Sequence, residues 1–457
     1  MKRPDRTSRP AGAPFLAVLL VWFLGGLPLL ASPRLPTEAP FKRVYTSRHF
    51  ILHTDLPRSQ AGEMLARMEK AIVFAEKHWG RPLRTKIECY VARHVDRWPD
   101  SDLPHPLARV YIGGVGGATV ARSATPHAAS SRRADSRSRR SDFSGHQAVV
   151  YACADRGVVE HEVIHAYCYQ AFGRVGPDWY KEGMAQMGGE CCAGGRGAWR
   201  SPEALQRLRR QPRPTVEQII RAKQLANPIG GSLNTMLARA RQTQTHAPLS
   251  DWTEHDAKCV AQIREDYLWC WALCHLLAHN PNYSRRFRAV GAHYLVGRMG
   301  AFDYAFSAVR RQLQFEYDWF LDHIEVGYRV DLCHWDWDVR FRSLEETRSV
   351  RRRILAARGF QASGLRVQSG QRYRYQTEGR WSTAANKPFT DADGAADGSG
   401  RLVGVIMKDF RLTEPFDLGA DGVFVAPSDG TLYLRCRDRW NELGDNRGAV
   451  VVQWGQH

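Results

Sequence analysis

Short extended apolar runs alternate with segments of helical spacing in the first part of the chain. Over residues 60–79, Met64, Met68 and Ile72 recur at the spacing that places them on one face of a helix. The predicted elements, in chain order, are a strand at 49–53, a helix at 60–79, strands at 87–91 and 149–153, and helices at 158–172 and 179–190. This order predicts a small mixed α/β unit.

The pattern changes twice after residue 200. Residues 200–335 are mostly helical in pattern, and a basic segment at 340–358 is predicted to be a linking helix. Beyond it, turn residues recur at short intervals between alternating stretches such as 372–375, which is typical of an all-β unit. The predicted fold class is α+β: a mixed α/β subdomain and a helical subdomain at 42–335, a basic linker at 336–359 and a β-sandwich at 360–457.

The N-terminus has the layout of a secretory signal peptide. Four basic residues precede an apolar run over residues 15–31, and the small residues Ala31 and Ser32 close it. We predict that residues 1–31 are a signal peptide and that the protein is periplasmic, cell-surface or secreted, with no transmembrane span after cleavage; an uncleaved anchor is the alternative. In an oxidising compartment the ten cysteines could pair, in combinations that sequence does not define.

The charge of the chain bears on its partners. Lysine and arginine number 65 against 47 acidic residues, a formal net charge of +18, which favours an anionic glycan or surface polymer as a partner. A Ser/Arg-rich insertion at residues 121–145 is either a polyanion-binding arm or a solvated loop. Its arginine runs contain no interleaved aromatic residues to stack on bases, so we do not expect nucleic acid as a partner.

The strongest chemical motif lies in the predicted helix at 158–172. It reads His161-Glu162-x-x-His165, and residues four apart lie on one face of a helix, so both imidazoles can bind one metal ion. Glu162 is placed beside the first ligand to take a proton from a metal-bound water. The apolar neighbours of these residues predict that the helix is buried.

A third ligand is predicted seventeen residues after His165. Glu182 lies in the segment 177–185 on the next predicted helix, and a carboxylate from a second helix is the usual third ligand of a two-histidine catalytic zinc site. Small residues beside Glu182 would let the two helices pack closely. The metzincin pattern fails, because Cys168 and Ala171 stand where its glycine and third histidine would fall.

With these motifs the chain resembles the gluzincin metallopeptidases, the group of thermolysin and the aminopeptidase-N family, and most of all the peptidase MA-like proteins of bacteria. The resemblance covers about residues 42–335. It implies a zinc-dependent peptidase that acts on a peptide or protein, in which His161, His165 and Glu182 hold Zn2+ and Glu162 is the general base.

The resemblance also points to supporting residues. Gln186 stands where thermolysin-like members have an aspartate that supports a zinc histidine, and its amide oxygen could accept the imidazole N–H more weakly. Tyr267 is the first candidate for stabilising the oxyanion, with His275 and Tyr283 as weaker alternatives; a packing role for Tyr267 stays open. The aminopeptidase Gly-x-Met-Glu-Asn motif is absent, so aminopeptidase activity is not expected. The segment nearest to that motif, at 113–118, is either a substrate-binding edge or a turn, and we favour the turn.

Residues 360–457 resemble the calcium-dependent galactose-binding lectin of bacteria, a small β-sandwich. The matching segments are 377–381, 400–404, 427–432 and 444–448. The resemblance implies a calcium ion held by Asp438, Asp445 and Asn446, which suits the preference of Ca2+ for oxygen ligands. No His and Gln pair stands in the 385–400 loop to hold a sugar, so calcium would be a structural ion; an ordinary hairpin loop is the alternative.

Two interpretations of the whole chain follow. The first is an exported zinc metallopeptidase that hydrolyses peptide bonds and is targeted to its site of action by the lectin-like module. The second is a carbohydrate- or surface-binding protein whose zinc site has a non-peptidase or vestigial role. The intact set of predicted zinc ligands favours the first.

Overall fold

The computed structural model of the protein describes residues 42–123, 146–190, 196–222 and 229–456. The predicted signal peptide at 1–31 and residues 124–145 of the predicted insertion lie outside the described residues. Within the described ranges, no helix is long and apolar enough to cross a membrane. Helices and three sheets are combined in one compact unit, which is compatible with an α+β fold that includes a β-sandwich.

A five-stranded mixed sheet organises the first part of the described chain, in the order β1-β2-β3-β5-β4. Its strands are β1 (Arg43–Thr46), β2 (Phe50–Thr54), β3 (Ile87–Ala92), β4 (Gly117–Ser123) and β5 (His146–Cys153). β2, β3 and β5 are parallel, and β1 and β4 are antiparallel edge strands. The helices α1 (Arg58–Trp79) and α2 (Val158–Phe172) share one apolar core with this sheet.

The strands and helices predicted for this region are all present, and α3 (Asp178–Glu190) follows α2 as expected. The segment 113–118 differs from the favoured prediction of a simple turn. Residues Val110–Val115 form a π-helical turn, and Gly117 then begins the edge strand β4. The segment therefore leads into an edge of the sheet.

The described parts of residues 202–333 are mostly helical, as predicted. The helices are α4 (Pro202–Arg209), α5 (Val216–Arg221), α6 (Gly230–Thr243), α7 (Glu254–His279), α8 (Ser284–Leu295), α9 (Ala301–Phe306), α10 (Arg310–His323) and α11 (Val330–Cys333). α7 is the longest of these described helices, and its second half is buried from Cys270 to Leu277. α3 packs against this buried half, so α3 contributes to both the sheet core and the helical core.

Two glycines allow α3 to approach its neighbours closely. A Cβ on Gly188 would lie 2.3 Å from Ile164 Cγ1 of α2, and a Cβ on Gly183 would lie 2.5 Å from the Cys270 carbonyl oxygen of α7. Real Cβ atoms do not come so near to other heavy atoms. The sequence correctly predicts close packing beside Glu182, but Gly183 faces α7 and Gly188 makes the approach to α2.

A five-stranded sheet and a four-stranded sheet form a sandwich in the last part of the chain. The first has the order β10-β9-β13-β7, with β11 also paired to β9, and the second has the order β12-β8-β14-β6. The strands are β6 (Ser349–Leu355), β7 (Gln361–Val367), β8 (Arg372–Ser382), β9 (Leu402–Lys408), β10 (Arg411–Leu412), β11 (Phe416–Asp417), β12 (Asp421–Val425), β13 (Gly430–Cys436) and β14 (Arg447–Gln456). Side chains from both sheets meet in one apolar core.

The prediction of a linking helix at 340–358 is wrong. Residues Ser349–Leu355 form β6, an edge strand that pairs antiparallel with β14 from Leu355–Ala449 to Ser349–Gly455. Its arginines point mostly to solvent, and only Ile354 is fully buried. The sandwich therefore begins before residue 360, and the basic segment is part of it.

A buried carboxylate connects the helical part to the segment that enters the sandwich. Glu316 on α10 accepts hydrogen bonds from Asn282 Nδ2 at 2.8 Å, Tyr283 Oη at 3.0 Å and Trp337 Nε1 at 2.5 Å. Beside it, aromatic residues of α10 pack with Trp335 and with the outer face of the β7–β9–β13 sheet. The helical part and the sandwich thus share an apolar interface.

No disulfide forms among the described cysteines, although an oxidising compartment would permit pairing. All eight described cysteines are free thiols, and most are buried. Cys191 and Cys192 lie outside the described residues.

Candidate metal centre

The three predicted zinc ligands converge on one point. The Nε2 atoms of His161 and His165 are 3.0 Å apart, and Glu182 Oε2 lies 3.2 Å from the first and 3.3 Å from the second. His161 and His165 stand one turn apart on α2, and Glu182 comes from α3. The described residues contain no other group of three or more His, Cys, Asp or Glu side chains this close together.

The spacing of these three atoms matches what a zinc ion requires. Ligands at about 2.0–2.1 Å in a tetrahedron are about 3.3 Å from one another, close to the observed separations. Glu182 Oε2 and His161 Nδ1 are buried, and neither has a hydrogen-bond partner among the described residues. A cation at the centre of the triangle would satisfy the carboxylate oxygen, so the donor set fits the metal.

Glu182 remains ionised although its side chain is buried. Burial alone would raise the pKa of Glu182, but the two imidazole rings beside it outweigh burial and hold the pKa well below its usual range. Lys181 Nζ lies 3.1 Å from the second oxygen, Oε1, and 2.8 Å from Asp178 Oδ1. One carboxylate oxygen therefore faces the histidines and the other faces an ammonium group.

The contact with Lys181 could not be read from the sequence, and the contact expected of Gln186 is not formed. Gln186 uses its backbone carbonyl to accept from Arg200 Nη2 at 3.1 Å, whereas no described residue is a partner of His161 Nδ1. The sequence motif places Gln186 near the histidines but does not predict where its side chain points.

Glu162 is held between α2 and the edge strand. Thr119 Oγ1 on β4 lies 2.8 Å from Glu162 Oε2 and 2.9 Å from the Glu162 carbonyl oxygen, and can donate to either. A Cβ on Gly117 would lie 3.1 Å from Glu162 Oε1, so the strand passes directly over the carboxylate. Burial raises the pKa of Glu162, although His161 and Thr119 act against it. Thr119 belongs to no sequence motif, so its contact with Glu162 is not predicted from the sequence.

Of the three oxyanion candidates, only Tyr267 is at the site. Its ring stacks on that of His161, with centroids 5.7 Å apart. Burial raises the pKa of Tyr267, and the nearby charges of Glu182 and Glu162 raise it further, so its hydroxyl remains a proton donor. His275 lies instead beside Glu190, 3.5 Å away, and Tyr283 donates to Glu316.

The predicted calcium ligands are brought together in part. Asp438 and Asn446 interact, and Asp438 Oδ2 and Asn446 Oδ1 are buried oxygens without hydrogen-bond partners among the described residues. Asp445 is exposed. Arg435, also buried, donates to the backbone carbonyl of Asp438. Two oxygens are thus available to a cation.

Comparison with known proteins gives little guidance. No family model and no curated protein matches the chain. A similar solved structure is described as "EclA N-terminal domain; PllA-like lectin": it is 18% identical, covers 24% of this chain and 96% of that chain, and has a TM-score of 0.20. A likeness at this level supports no inference about ligand or activity.

Proposed function

We propose that the protein is an exported zinc-dependent peptidase of the gluzincin type, in which His161, His165 and Glu182 bind the metal and Glu162 is the general base. The observation that carries the proposal is the triangle of ligand atoms, with sides of 3.0–3.3 Å, beside a buried glutamate. The resemblance to the gluzincins rests on the same residues.

Zinc, when bound, would polarise a substrate carbonyl and acidify a water molecule. Glu162 Oε1 is the oxygen available to take the proton, because Thr119 lies against Oε2. From there Glu162 would pass the proton to the leaving amine. Thr119 orients the carboxylate, and Lys181 holds the second oxygen of Glu182 away from the histidines.

The edge strand supports a peptide as the substrate. β4 is the outermost strand of its sheet, so its outer backbone groups can pair with an extended peptide. Thr119 of this strand lies within hydrogen-bond distance of Glu162, and Gly117 lies so near that a Cβ on it would come within 3.1 Å of Glu162 Oε1. A peptide paired with β4 would therefore place its backbone next to the general base, which favours peptide hydrolysis over action on a compact small molecule.

The C-terminal sandwich is the proposed targeting module. Its candidate partner is a glycan or an anionic polymer at the cell surface, and its candidate cofactor is Ca2+ held by Asp438, Asp445 and Asn446. The buried, unpartnered oxygens of Asp438 and Asn446 support the cation. The same module carries the second candidate function, a carbohydrate- or surface-binding protein whose zinc site has a non-peptidase or vestigial role.

Replacing Glu162 tests the chemistry separately from metal binding. We expect Glu162→Gln to retain zinc and to lower peptide hydrolysis by roughly 10²-fold or more, because the base is lost while the ligands remain. Zinc content and cleavage of a mixed peptide library, with and without chelator, are the measurements. The control, Glu63→Gln, changes an exposed glutamate of α1 and should leave hydrolysis unchanged. Full activity of Glu162→Gln would refute its assigned role.

Removing the Tyr267 hydroxyl tests the oxyanion role. Tyr267→Phe keeps the ring on His161, and we expect kcat to fall by roughly 10²-fold with a smaller change in KM, because the contact strengthens in the transition state. The control is Tyr304→Phe, since Tyr304 is 91% exposed. An unchanged kcat would leave Tyr267 with a packing role only.

Calcium should stabilise the sandwich. We expect the unfolding temperature of the full chain to rise in millimolar calcium and not in magnesium, because a ligand that binds only the folded state stabilises it. Asp445→Ala should remove the shift, whereas Asp421→Ala, an exposed aspartate of β12, should retain it. If calcium has no effect on the intact protein, the proposed calcium site is wrong.

A further inference from the structure

We propose that Arg264 recognises a substrate carboxylate on the C-terminal side of the cleaved bond. The inference rests on the proposed peptidase function and names the class of peptide that the site prefers: one with a negative charge within one or two residues after the scissile bond.

Arg264 lies beside the start of β4, next to the residue that approaches the general base. It is three residues before Tyr267 on α7, so both side chains lie on one face of that helix, and Tyr267 stacks on His161. A Cβ on Gly116 would lie 3.3 Å from Arg264 Nη2, and a Cβ on the next residue, Gly117, would lie 3.1 Å from Glu162 Oε1. The guanidinium and the general base thus flank neighbouring residues at the start of β4.

The guanidinium has no acidic partner within the described part of the protein. The side chain of Arg264 is exposed, and its guanidinium makes no hydrogen bond or ion pair with any described residue. Two other cations of this region are already paired: Lys181 with Asp178 and Glu182, and Arg122 with Glu88. Asp155, which like Arg264 lies near Cys153, is not within ion-pair distance of Arg264. A positive charge near the proposed reaction centre is therefore available to a ligand.

Strand pairing sets the position of the charge along the substrate. Antiparallel pairing is slightly the more stable kind, and a peptide antiparallel to β4 runs from the Ser123 end toward Gly117. Residues after the cleaved bond then approach Gly116 and Arg264. Because an extended residue spans about 3.3–3.6 Å, the carboxylate belongs to the first or second residue beyond the bond. A planar guanidinium fits a carboxylate with two parallel hydrogen bonds.

Two sources can supply this carboxylate: an Asp or Glu side chain, or the free C-terminus of the peptide. Matched substrates distinguish them. One pair carries Glu or Gln at the first or second position after the bond, with an amidated C-terminus. The other pair ends two residues after the bond, as the free acid or the amide, with no acidic side chain.

The experiment measures kcat/KM for both members of each peptide pair. The enzymes are the wild type and the variants Arg264→Gln, Arg264→Lys and Arg285→Gln. We expect the wild type to prefer the carboxylate member of at least one pair by about 10-fold or more, the size of a charge-assisted contact. Arg264→Gln should bring that ratio close to one while still cleaving the neutral peptides. Arg264→Lys should retain part of the preference for the carboxylate peptide. Arg285→Gln, the control, changes an exposed arginine of α8 and should retain the full preference.

A second measurement does not depend on turnover. In the Glu162→Gln background, binding of the carboxylate and neutral peptides should differ by a similar factor, and adding Arg264→Gln should abolish the difference. A carboxylate preference that survives Arg264→Gln, or a wild type that cleaves both members of each pair equally well, would overturn the role of Arg264 but not the peptidase function. A zinc-loaded wild type that cleaves no peptide would instead refute the peptidase function.

Discussion

The close approach of α3 to α2 and α7 is the constraint on which the candidate metal centre depends. Gly188 allows the approach to α2 and Gly183 the approach to α7, since a Cβ at either position would collide with the facing helix. With α3 held at this distance, Glu182 reaches the two histidines of α2. The same packing brings α7 close enough for Tyr267 to stack on His161. Three helices thereby place their functional side chains around one point.

The electrostatics of the centre follow from this packing. A buried carboxylate and two imidazoles within 3.3 Å of one another leave an unsatisfied oxygen, and an unpaired buried charge is costly. Lys181 satisfies only the oxygen that points away from the histidines. A cation at the centre would remove the remaining penalty, and metal binding would then be coupled to local stability. The edge strand then adds Thr119 and a backbone edge that no described strand pairs with, beside Glu162.

Local pattern predicted the parts of the site that lie within one helix. The His161–His165 spacing is a property of neighbouring residues, and the structure places these side chains together. Tyr267 joins them from within α7, which begins at Glu254, and not from the start of a helix. The role of Thr119 is not predicted because it depends on a contact between β4 and α2. Lys181 contacts Asp178 and Glu182 within its own helix, and it belongs to no motif that would single it out. The prediction of a helix at 340–358 is wrong because it depends on a contact with a distant strand. The outward-pointing arginines of this segment have the polar pattern of an exposed helix. Residues Ser349–Leu355 form a strand because they pair with β14.

Metal content tests the central claim most directly. The protein should be purified without chelator, incubated with a small excess of zinc, freed of unbound metal and analysed for metal per chain. The account predicts about one tightly held zinc per chain, and loss of that zinc in a His161→Ala, His165→Ala double variant that remains folded. A folded wild-type protein that holds no zinc, or one whose zinc content is unchanged when both histidines are removed, would contradict the account.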